Sequence, residues 1–202
     1  MQSTLPSHSG LTHSSGTLSG SLPASLAGKV ILTVAATLFV AVCAHVSVPL
    51  PFTPVPITLQ NFAVLVVGLV LGPVAGFSAM VLYLAEGAMG MPVFNPGGLG
   101  GVAQLLGPTA GYLFSYPLAA AAAGWVVRAM RNVESRFTRG VVATVVASAF
   151  IFVMGAGWMA HVLHLGVAAT WALAVAPFLL GEVIKITAAA GIFSTLQRWQ
   201  RS

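Results

Sequence analysis

The chain alternates long apolar stretches with short segments that are polar or rich in proline and glycine. A membrane-spanning helix needs about 20 apolar residues. On this pattern we predict six transmembrane helices, at about Val30–Val46, Thr58–Leu71, a stretch after Gly72-Pro73 that ends near Ala88, Val102–Val127, Gly140–Leu163 and Pro177–Leu196. The apolar residues from Gly166 to Ala176 could extend either of the last two helices.

Two connecting segments are unsuited to regular helix. HVSVPLPFTPVP carries several prolines between Pro49 and Pro56, and GMPVFNPGGLGG combines prolines with glycines. Irregular backbone at membrane depth persists only where it is buried in protein or lines a cavity. Because both segments fall on the same face of the predicted topology, they indicate a lid or lining over a pocket.

The amino-acid composition indicates that these helices lie in a membrane. Charged residues make up 5% of the 202 residues, against about 25% in an ordinary soluble domain, and 57% are hydrophobic. We therefore predict an all-α integral membrane protein with a disordered polar tail at 1–27, a six-helix membrane domain at 28–198 and a cytoplasmic end at 199–202. The net charge of +5 indicates topology rather than nucleic-acid binding, because the basic residues flank apolar spans.

The basic residues predict the orientation. Seven of the eight fall on one side of the predicted topology, at Lys29, Arg128, Arg131, Arg136, Arg139, Arg198 and Arg201. The positive-inside rule assigns that side to the cytoplasm. We therefore predict a multi-pass protein of the cell membrane with both termini cytoplasmic and the two proline-containing segments outside.

The eighth basic residue, Lys185, lies within the sixth predicted span together with Glu182. A charge at the bilayer centre costs about 2.5–3.5 kcal/mol on insertion scales, so each charge needs a reason. Residues three apart are neighbours on one helical face. The two side chains could form a structural ion pair, or they could face a cavity and bind a ligand that has hydrogen-bond donors and an anionic end.

Uncharged polar residues cluster near the same membrane depth, below the two external segments. They are Thr58, Gln60, Asn95, Gln104 and Tyr112. Polar side chains in a bundle often bond neighbouring helices, but this clustering also makes them candidates for a pocket lining.

Enzyme and metal chemistry are weakly supported. Glu86, His161 and His164 are the remaining candidates, and two histidines do not make a metal site. The glycine that a phosphate-binding loop requires five residues before Gly28 is Pro23. We predict no metal, no cofactor and no enzymatic activity, and any ATP-driven step would come from other subunits.

Four stretches resemble the BioY family, the biotin-specific S components of energy-coupling-factor transporters. They are PVPITLQNFAVLVVGLVLGPVAG, YLAEGAMGMPVFNPGGLGG, QLLGPTAGYL and GEVIK, and the resemblance covers about residues 30–196. It implies a six-helix bundle of the S-component type with a biotin pocket open to the outside. In the family an acid and a lysine of the last helix line that pocket, and they correspond to Glu182 and Lys185. The family pattern has Asp where this chain has Glu182.

The resemblance also implies further ligand contacts and partners. Asn95, Gln104 and Tyr112 match polar pocket residues, and Tyr83, Phe94, Tyr112 and Phe114 could supply apolar walls. Thiamin or riboflavin, which other S components bind, stays open as an alternative ligand. Transport would need a transmembrane coupling subunit and two ATPase subunits.

A stripe of small residues on the first span, Thr33, Thr37 and Ala41, could form the docking surface for those partners. Close packing within the bundle is the alternative explanation for this stripe.

Overall fold

A computed structural model describes residues 26–199. The helices are α1 (Leu26–His45), α2 (Gln60–Leu71), α3 (Pro73–Ala88), α4 (Gly101–Leu106), α5 (Ala110–Ala129), α6 (Arg136–Val162), α7 (Val167–Thr170) and α8 (Leu179–Trp199). A π turn at Trp171–Val175 and a 3₁₀ turn at Ala176–Phe178 join α7 to α8, so that Val167–Trp199 is one helical stretch.

Four helical stretches of the described chain are long and apolar enough to cross a membrane: α1, α5, α6 and Val167–Trp199. The other apolar helices, α2 and α3, have 12 and 16 residues. At 1.5 Å per residue they reach about 18 and 24 Å, less than the roughly 30 Å of a hydrocarbon core. The structure is therefore a helical membrane bundle in which two helices are short.

The α2–α3 hairpin turns at Gly72, whose φ of 79° suits glycine, and Pro73 then begins α3 at a position where its missing N–H is harmless. A side chain at Gly124 of α5 would collide with the backbone of Gly72 and Pro73. This close approach lets α5 pack against α2, α3 and α6 at the centre of the bundle.

The segment between α1 and α2 contains a two-residue strand pair that the sequence analysis missed. β1 (Ser47–Val48) and β2 (Ile57–Thr58) run antiparallel, with Ser47 opposite Thr58. Their pairing closes the proline-containing loop onto the end of the bundle. We call this end, where segments 46–59 and 89–100 lie, the loop end.

The predicted fourth span, Val102–Val127, is wrong as a continuous helix. It divides into α4 and α5 around Gly107, which is extended with ψ 177° because Pro108 disfavours helical backbone in the residue before it. The Gly107 carbonyl accepts a 3.0 Å hydrogen bond from the Trp158 indole N–H and a 3.1 Å bond from the Ala110 backbone N–H.

The apolar stretch from Gly166 to Ala176 belongs to the last helix rather than to α6. Pro177 has no N–H to bond the carbonyl of Leu173, and the π turn and 3₁₀ turn lie around this defect. Side chains from elsewhere satisfy the backbone instead. The Thr53 hydroxyl donates to the Leu173 carbonyl at 2.8 Å, and the Tyr112 hydroxyl donates to the Ala174 carbonyl at 2.6 Å.

The helices run slightly past the predicted domain boundaries. Leu26 and Ala27, assigned above to the disordered tail, begin α1, and Trp199, assigned to the cytoplasmic end, completes α8. The helix extends because these residues continue an apolar or helix-compatible run. The rest of the predicted tail and residues 200–202 lie outside the described residues.

Candidate functional site

A cavity of about 600 Å³, which includes space open to solvent, lies at the loop end. Its lining joins segments 46–59 and 89–100 to α2, α5, α6 and α8. The lining residues are Val55, Pro56, Thr58, Gln60, Asn61, Phe94, Asn95, Gln104, Thr109, Tyr112, Leu113, Tyr116, Phe152, Phe178 and Lys185. A ligand pocket typically has this mixture of apolar walls and a few polar groups.

Gln60, the first residue of α2, has a fixed side-chain amide. Its Nε2 donates to the Tyr83 hydroxyl at 2.8 Å, and that hydroxyl donates to the Val93 carbonyl at 2.7 Å. Tyr83 is fully buried and does not line the cavity. It therefore supports Gln60 from behind instead of forming the apolar wall predicted from the sequence.

Asn61 and Tyr116 form a second polar pair in the lining, which the sequence analysis did not identify. The Tyr116 hydroxyl donates to Asn61 Oδ1 at 2.9 Å. Asn61 follows Gln60 directly, so a second amide beside a predicted one was the signal that could have found it. Tyr116 is one helical turn beyond Tyr112 on α5, and that spacing could have found it as well.

Polar residues from segment 89–100 and α4 form the outer part of the site. Gln104 Oε1 accepts a 2.7 Å bond from the Leu99 backbone N–H, and Gln104 Nε2 donates to Thr109 at 2.9 Å. Asn95 Oδ1 accepts from the Gly97 N–H at 3.2 Å. These bonds hold an irregular segment in a defined shape, as expected for backbone that lines a cavity.

The charged pair of α8 lies beside the cavity. Lys185 Nζ is 3.6 Å from Glu182 Oε2, and both side chains are buried. The Ser148 hydroxyl of α6 donates to Glu182 Oε1 at 2.7 Å, whereas Oε2 has no hydrogen-bond partner among the described residues. Lys185 lines the cavity, whereas Glu182 is buried beside it and does not.

Two aromatic walls depend on glycines. A side chain at Gly87 would overlap the Phe94 ring, and a side chain at Gly155 would overlap the Tyr112 ring. The prediction that Phe114 forms a wall is wrong, because Phe114 is exposed and contacts Trp158 edge-on at 5.9 Å. Phe152 and Phe178 line the cavity in its place.

Comparison with known proteins decides the family, since the BioY family profile matches residues 13–202. The chain belongs to the BioY family. It is 37% identical over 144 residues to a probable biotin transporter BioY of Pyrococcus horikoshii, which covers 71% of this chain and 82% of that protein. It is also 33% identical over 175 residues to the biotin transporter BioY of Rhodobacter capsulatus, with 83% and 91% covered.

A solved structure shares the fold of this BioY-family chain. It is the crystal structure of the S-component for biotin from an ECF-type ABC transporter, with a TM-score of 0.77 and 24% identity. The match covers 85% of this chain and 92% of that one. The resemblance predicted from the sequence is thus confirmed at the level of family and fold.

Most of the predicted site residues meet in one region of this BioY-family structure. Those in the lining are Thr58, Gln60, Phe94, Asn95, Gln104, Tyr112 and Lys185. Glu182 and Tyr83 stand one layer behind and hold lining residues in position. Their contacts with a ligand stay predictions.

The predicted docking stripe on α1 needs correction. Thr37 and Ala41 are buried within the chain and Thr33 is half-buried. The Thr37 hydroxyl lies 3.1 Å from Glu86 Oε1 of α3 and 2.9 Å from the Val34 carbonyl of its own helix, so Thr37 packs α1 against α3. A partner subunit could not lie against Thr37 and Ala41 in this conformation, because these side chains pack inside the bundle.

Glu86 and the histidines do not form a metal site. Glu86 is buried against Thr37, whereas His161 and His164 are exposed near the end of α6. Residues 26–199 contain no group of three or more His, Cys, Asp or Glu side chains that could hold a metal ion.

Proposed function

We propose that this BioY-family chain binds biotin in the cavity at the loop end and acts as the biotin-binding S component of an energy-coupling-factor transporter. The observation that carries the proposal is the cavity itself, which combines apolar walls, fixed amides and a buried Glu182–Lys185 pair in a chain of this family. The relatives named above are a probable biotin transporter and a biotin transporter, which supports biotin rather than thiamin or riboflavin.

The chemistry of biotin suits this lining. Its ureido ring has two N–H donors and one carbonyl acceptor, its thioether ring is apolar, and its valerate tail is anionic. The amides of Gln60 and Asn61 each supply a hydrogen-bonding group of fixed orientation. Phe94 and Phe178 supply apolar surface, and Lys185 supplies a cation. A ligand that lacks the matching groups would leave these buried polar side chains unpaired, so the site discriminates strongly against it.

We further propose that α2 and α3 are two additional membrane crossings, which gives six. The short α2 fits because residues of the loop that precedes it, Val55, Pro56 and Thr58, line the cavity. Both termini and the segment between α5 and α6 would then face the cytoplasm, and the cavity would open to the outside. The arginines of that segment and of α8 support this orientation through the positive-inside rule.

The partners of this chain follow from the same proposal. As an S component it would work with a transmembrane coupling subunit and two ATPase subunits, since its own residues suggest a binding role and not a nucleotide site. Biotin is then the transported ligand and not a cofactor.

Binding to the detergent-purified chain tests the proposal. We expect saturable binding of biotin and no competition from an excess of thiamin or riboflavin, measured by titration calorimetry or with radiolabelled biotin. Tight binding of either other vitamin, or no binding of biotin by a folded sample, would refute it.

A further inference from the structure

The two amides at the start of α2 are held in opposite orientations by two tyrosines. The Tyr83 hydroxyl has one proton, and it donates that proton to the Val93 carbonyl at 2.7 Å. It can therefore only accept from Gln60, so Gln60 must direct Nε2 toward Tyr83. The oxygen of the Gln60 amide is left for the cavity.

Tyr116 acts in the reverse sense. Tyr116 is 3% exposed, and Asn61 Oδ1 is the acceptor that its hydroxyl has among residues 26–199. If the Asn61 amide turned round, the hydroxyl proton would lose that acceptor, and an unsatisfied buried donor is costly. Asn61 therefore directs its oxygen toward Tyr116 and leaves its Nδ2 hydrogens for the cavity.

Neighbouring positions of the lining thus present an acceptor from Gln60 and a donor from Asn61. A cyclic urea presents the complementary arrangement, an N–H beside a carbonyl. A freely rotating amide would bind a carbonyl or an N–H equally well, because it can present either end. The two tyrosines remove that freedom.

We propose that Tyr116 is a positioning residue that makes the site selective for a ligand carbonyl, because it fixes Asn61 as a hydrogen-bond donor to the ureido oxygen. Tyr83 is its counterpart, which fixes Gln60 as an acceptor for a ureido N–H. This inference rests on the proposed function and adds to it the group of the ligand that each amide recognises.

The test compares biotin with 2-iminobiotin, in which a protonated nitrogen bearing only hydrogens replaces the ureido oxygen. In the unmodified chain the Asn61 N–H meets that nitrogen donor to donor, so biotin binds more tightly. Tyr116→Phe releases the Asn61 amide, which can turn and accept from 2-iminobiotin. We expect the preference for biotin to fall by roughly five- to a hundredfold.

Tyr83→Phe is the matched control. It removes the hydroxyl that fixes the Gln60 amide. The ligand N–H that Gln60 would accept from is present in both compounds, so the preference for biotin over 2-iminobiotin should not change. Desthiobiotin, which keeps the ureido ring and lacks the sulfur, should keep its affinity relative to biotin in both variants. Thermal unfolding of each variant verifies that it is folded.

Asn61→Asp gives an independent measurement. One carboxylate oxygen accepts from Tyr116 and the other faces the ligand as an acceptor, so this variant should favour 2-iminobiotin even more than Tyr116→Phe does. This prediction holds whether or not Tyr116→Phe folds.

Several outcomes would overturn the inference while leaving biotin binding intact. One is an equal loss of affinity for all three ligands in Tyr116→Phe, and another is a changed preference in Tyr83→Phe. An Asn61→Asp variant with an unaltered preference would also refute it. Failure of the unmodified chain to bind biotin would refute the proposed function instead.

Discussion

Glu182 has two carboxylate oxygens in different situations. Oε1 accepts from Ser148, whereas Oε2 accepts no hydrogen bond from the described residues and lies 3.6 Å from Lys185 Nζ. A buried carboxylate oxygen without a donor is costly unless something satisfies it. The pair therefore has a remaining capacity to accept a hydrogen bond, which a structural ion pair with good geometry would lack.

Mutation of the pair separates stability from binding. Glu182→Gln or Lys185→Met alone leaves one buried charge uncompensated, which commonly costs about 3–5 kcal/mol of folding stability. The double variant should recover much of that stability. If the pair contacts biotin, the double variant should still bind about tenfold to over a hundredfold more weakly, because hydrogen bonds to charged groups contribute about 1.5–3 kcal/mol.

Thermal unfolding and biotin titration of the same samples measure both quantities. A stable double variant with near-native biotin affinity would remove Glu182 and Lys185 from the binding site.

Gly155, which packs against the Tyr112 ring, allows a second test at the scale of a single residue. Gly155→Ala would push the Tyr112 ring into the cavity, so we expect a loss of about 1–3 kcal/mol in stability and weaker biotin binding. Gly157→Ala is the matched control in the same helix, because nothing lies within 4 Å of a side chain there. Circular dichroism melting and titration would show the difference, and equal behaviour of the two variants would contradict it.

The sequence indicated Gln60, Gln104 and Lys185 because polar residues are rare in its apolar spans, but it did not single out Asn61, which also lines the cavity. It could not separate lining residues from those one layer behind, such as Glu182 and Tyr83. Aromatic walls were harder still. Phe94, Phe114 and Phe178 look alike in an apolar sequence, and only tertiary packing, such as that of Phe94 against Gly87, decides which of them faces the cavity.

At the scale of elements, the last helical stretch is the least regular. The backbone carbonyls near Pro177 that ordinary helix would satisfy are bound by Thr53 from the first loop and by Tyr112 from α5. One hydroxyl comes from a segment that covers the cavity and the other from its wall. The irregular turn therefore joins three parts of the site.

Thr53→Val should destabilise the chain by about 1–3 kcal/mol, because it leaves the Leu173 carbonyl without its donor. Thr170→Val is the control, since Thr170 bonds the Gly166 carbonyl that a backbone N–H already satisfies. Pro177→Ala supplies an N–H that can bond Leu173. The double variant, Thr53→Val with Pro177→Ala, should then lose less stability than the sum of the losses in the two single variants. A loss equal to that sum would show that Thr53 and Pro177 do not act on the same carbonyl.

Element boundaries were predictable where proline or glycine forces a break, as at Gly72-Pro73. The same chemistry at Gly107-Pro108 was missed, because apolar residues continue on both sides and a hydrophobic span does not reveal an internal turn. The strands at Ser47–Val48 and Ile57–Thr58 were missed because two residues are too few to show an alternating pattern. The π turn depends on hydrogen bonds from distant residues, which no local pattern contains.

At the scale of the whole molecule, the two ends of the bundle differ in their backbone structure and in their charge. The loop end holds the cavity, and the opposite end holds the arginines of the α5–α6 connection and of α8. There Arg139 is buried and donates to Gln197 at 3.2 Å, which joins α6 to α8. Irregular backbone is concentrated at one end and positive charge at the other.

Cysteine labelling of intact cells tests the orientation. In a Cys43→Ala background, a membrane-impermeant maleimide should label Leu99→Cys, whose position is 73% exposed at the loop end, and should miss Asn132→Cys. Both positions should react after solubilisation, which verifies that each cysteine is accessible. Labelling of Asn132→Cys alone in intact cells would reverse the proposed topology.

The Glu182–Lys185 pair has an electrical consequence. Glu182 and Lys185 carry opposite charges that cancel. When biotin binds beside them, its carboxylate would therefore leave this part of the bundle with one uncompensated negative charge. Moving one elementary charge through the whole membrane field involves about 2.3 kcal/mol per 100 mV. An interior-negative potential would therefore oppose inward movement of the loaded chain, and collapsing the potential in vesicles with a fixed ATP supply should accelerate biotin entry.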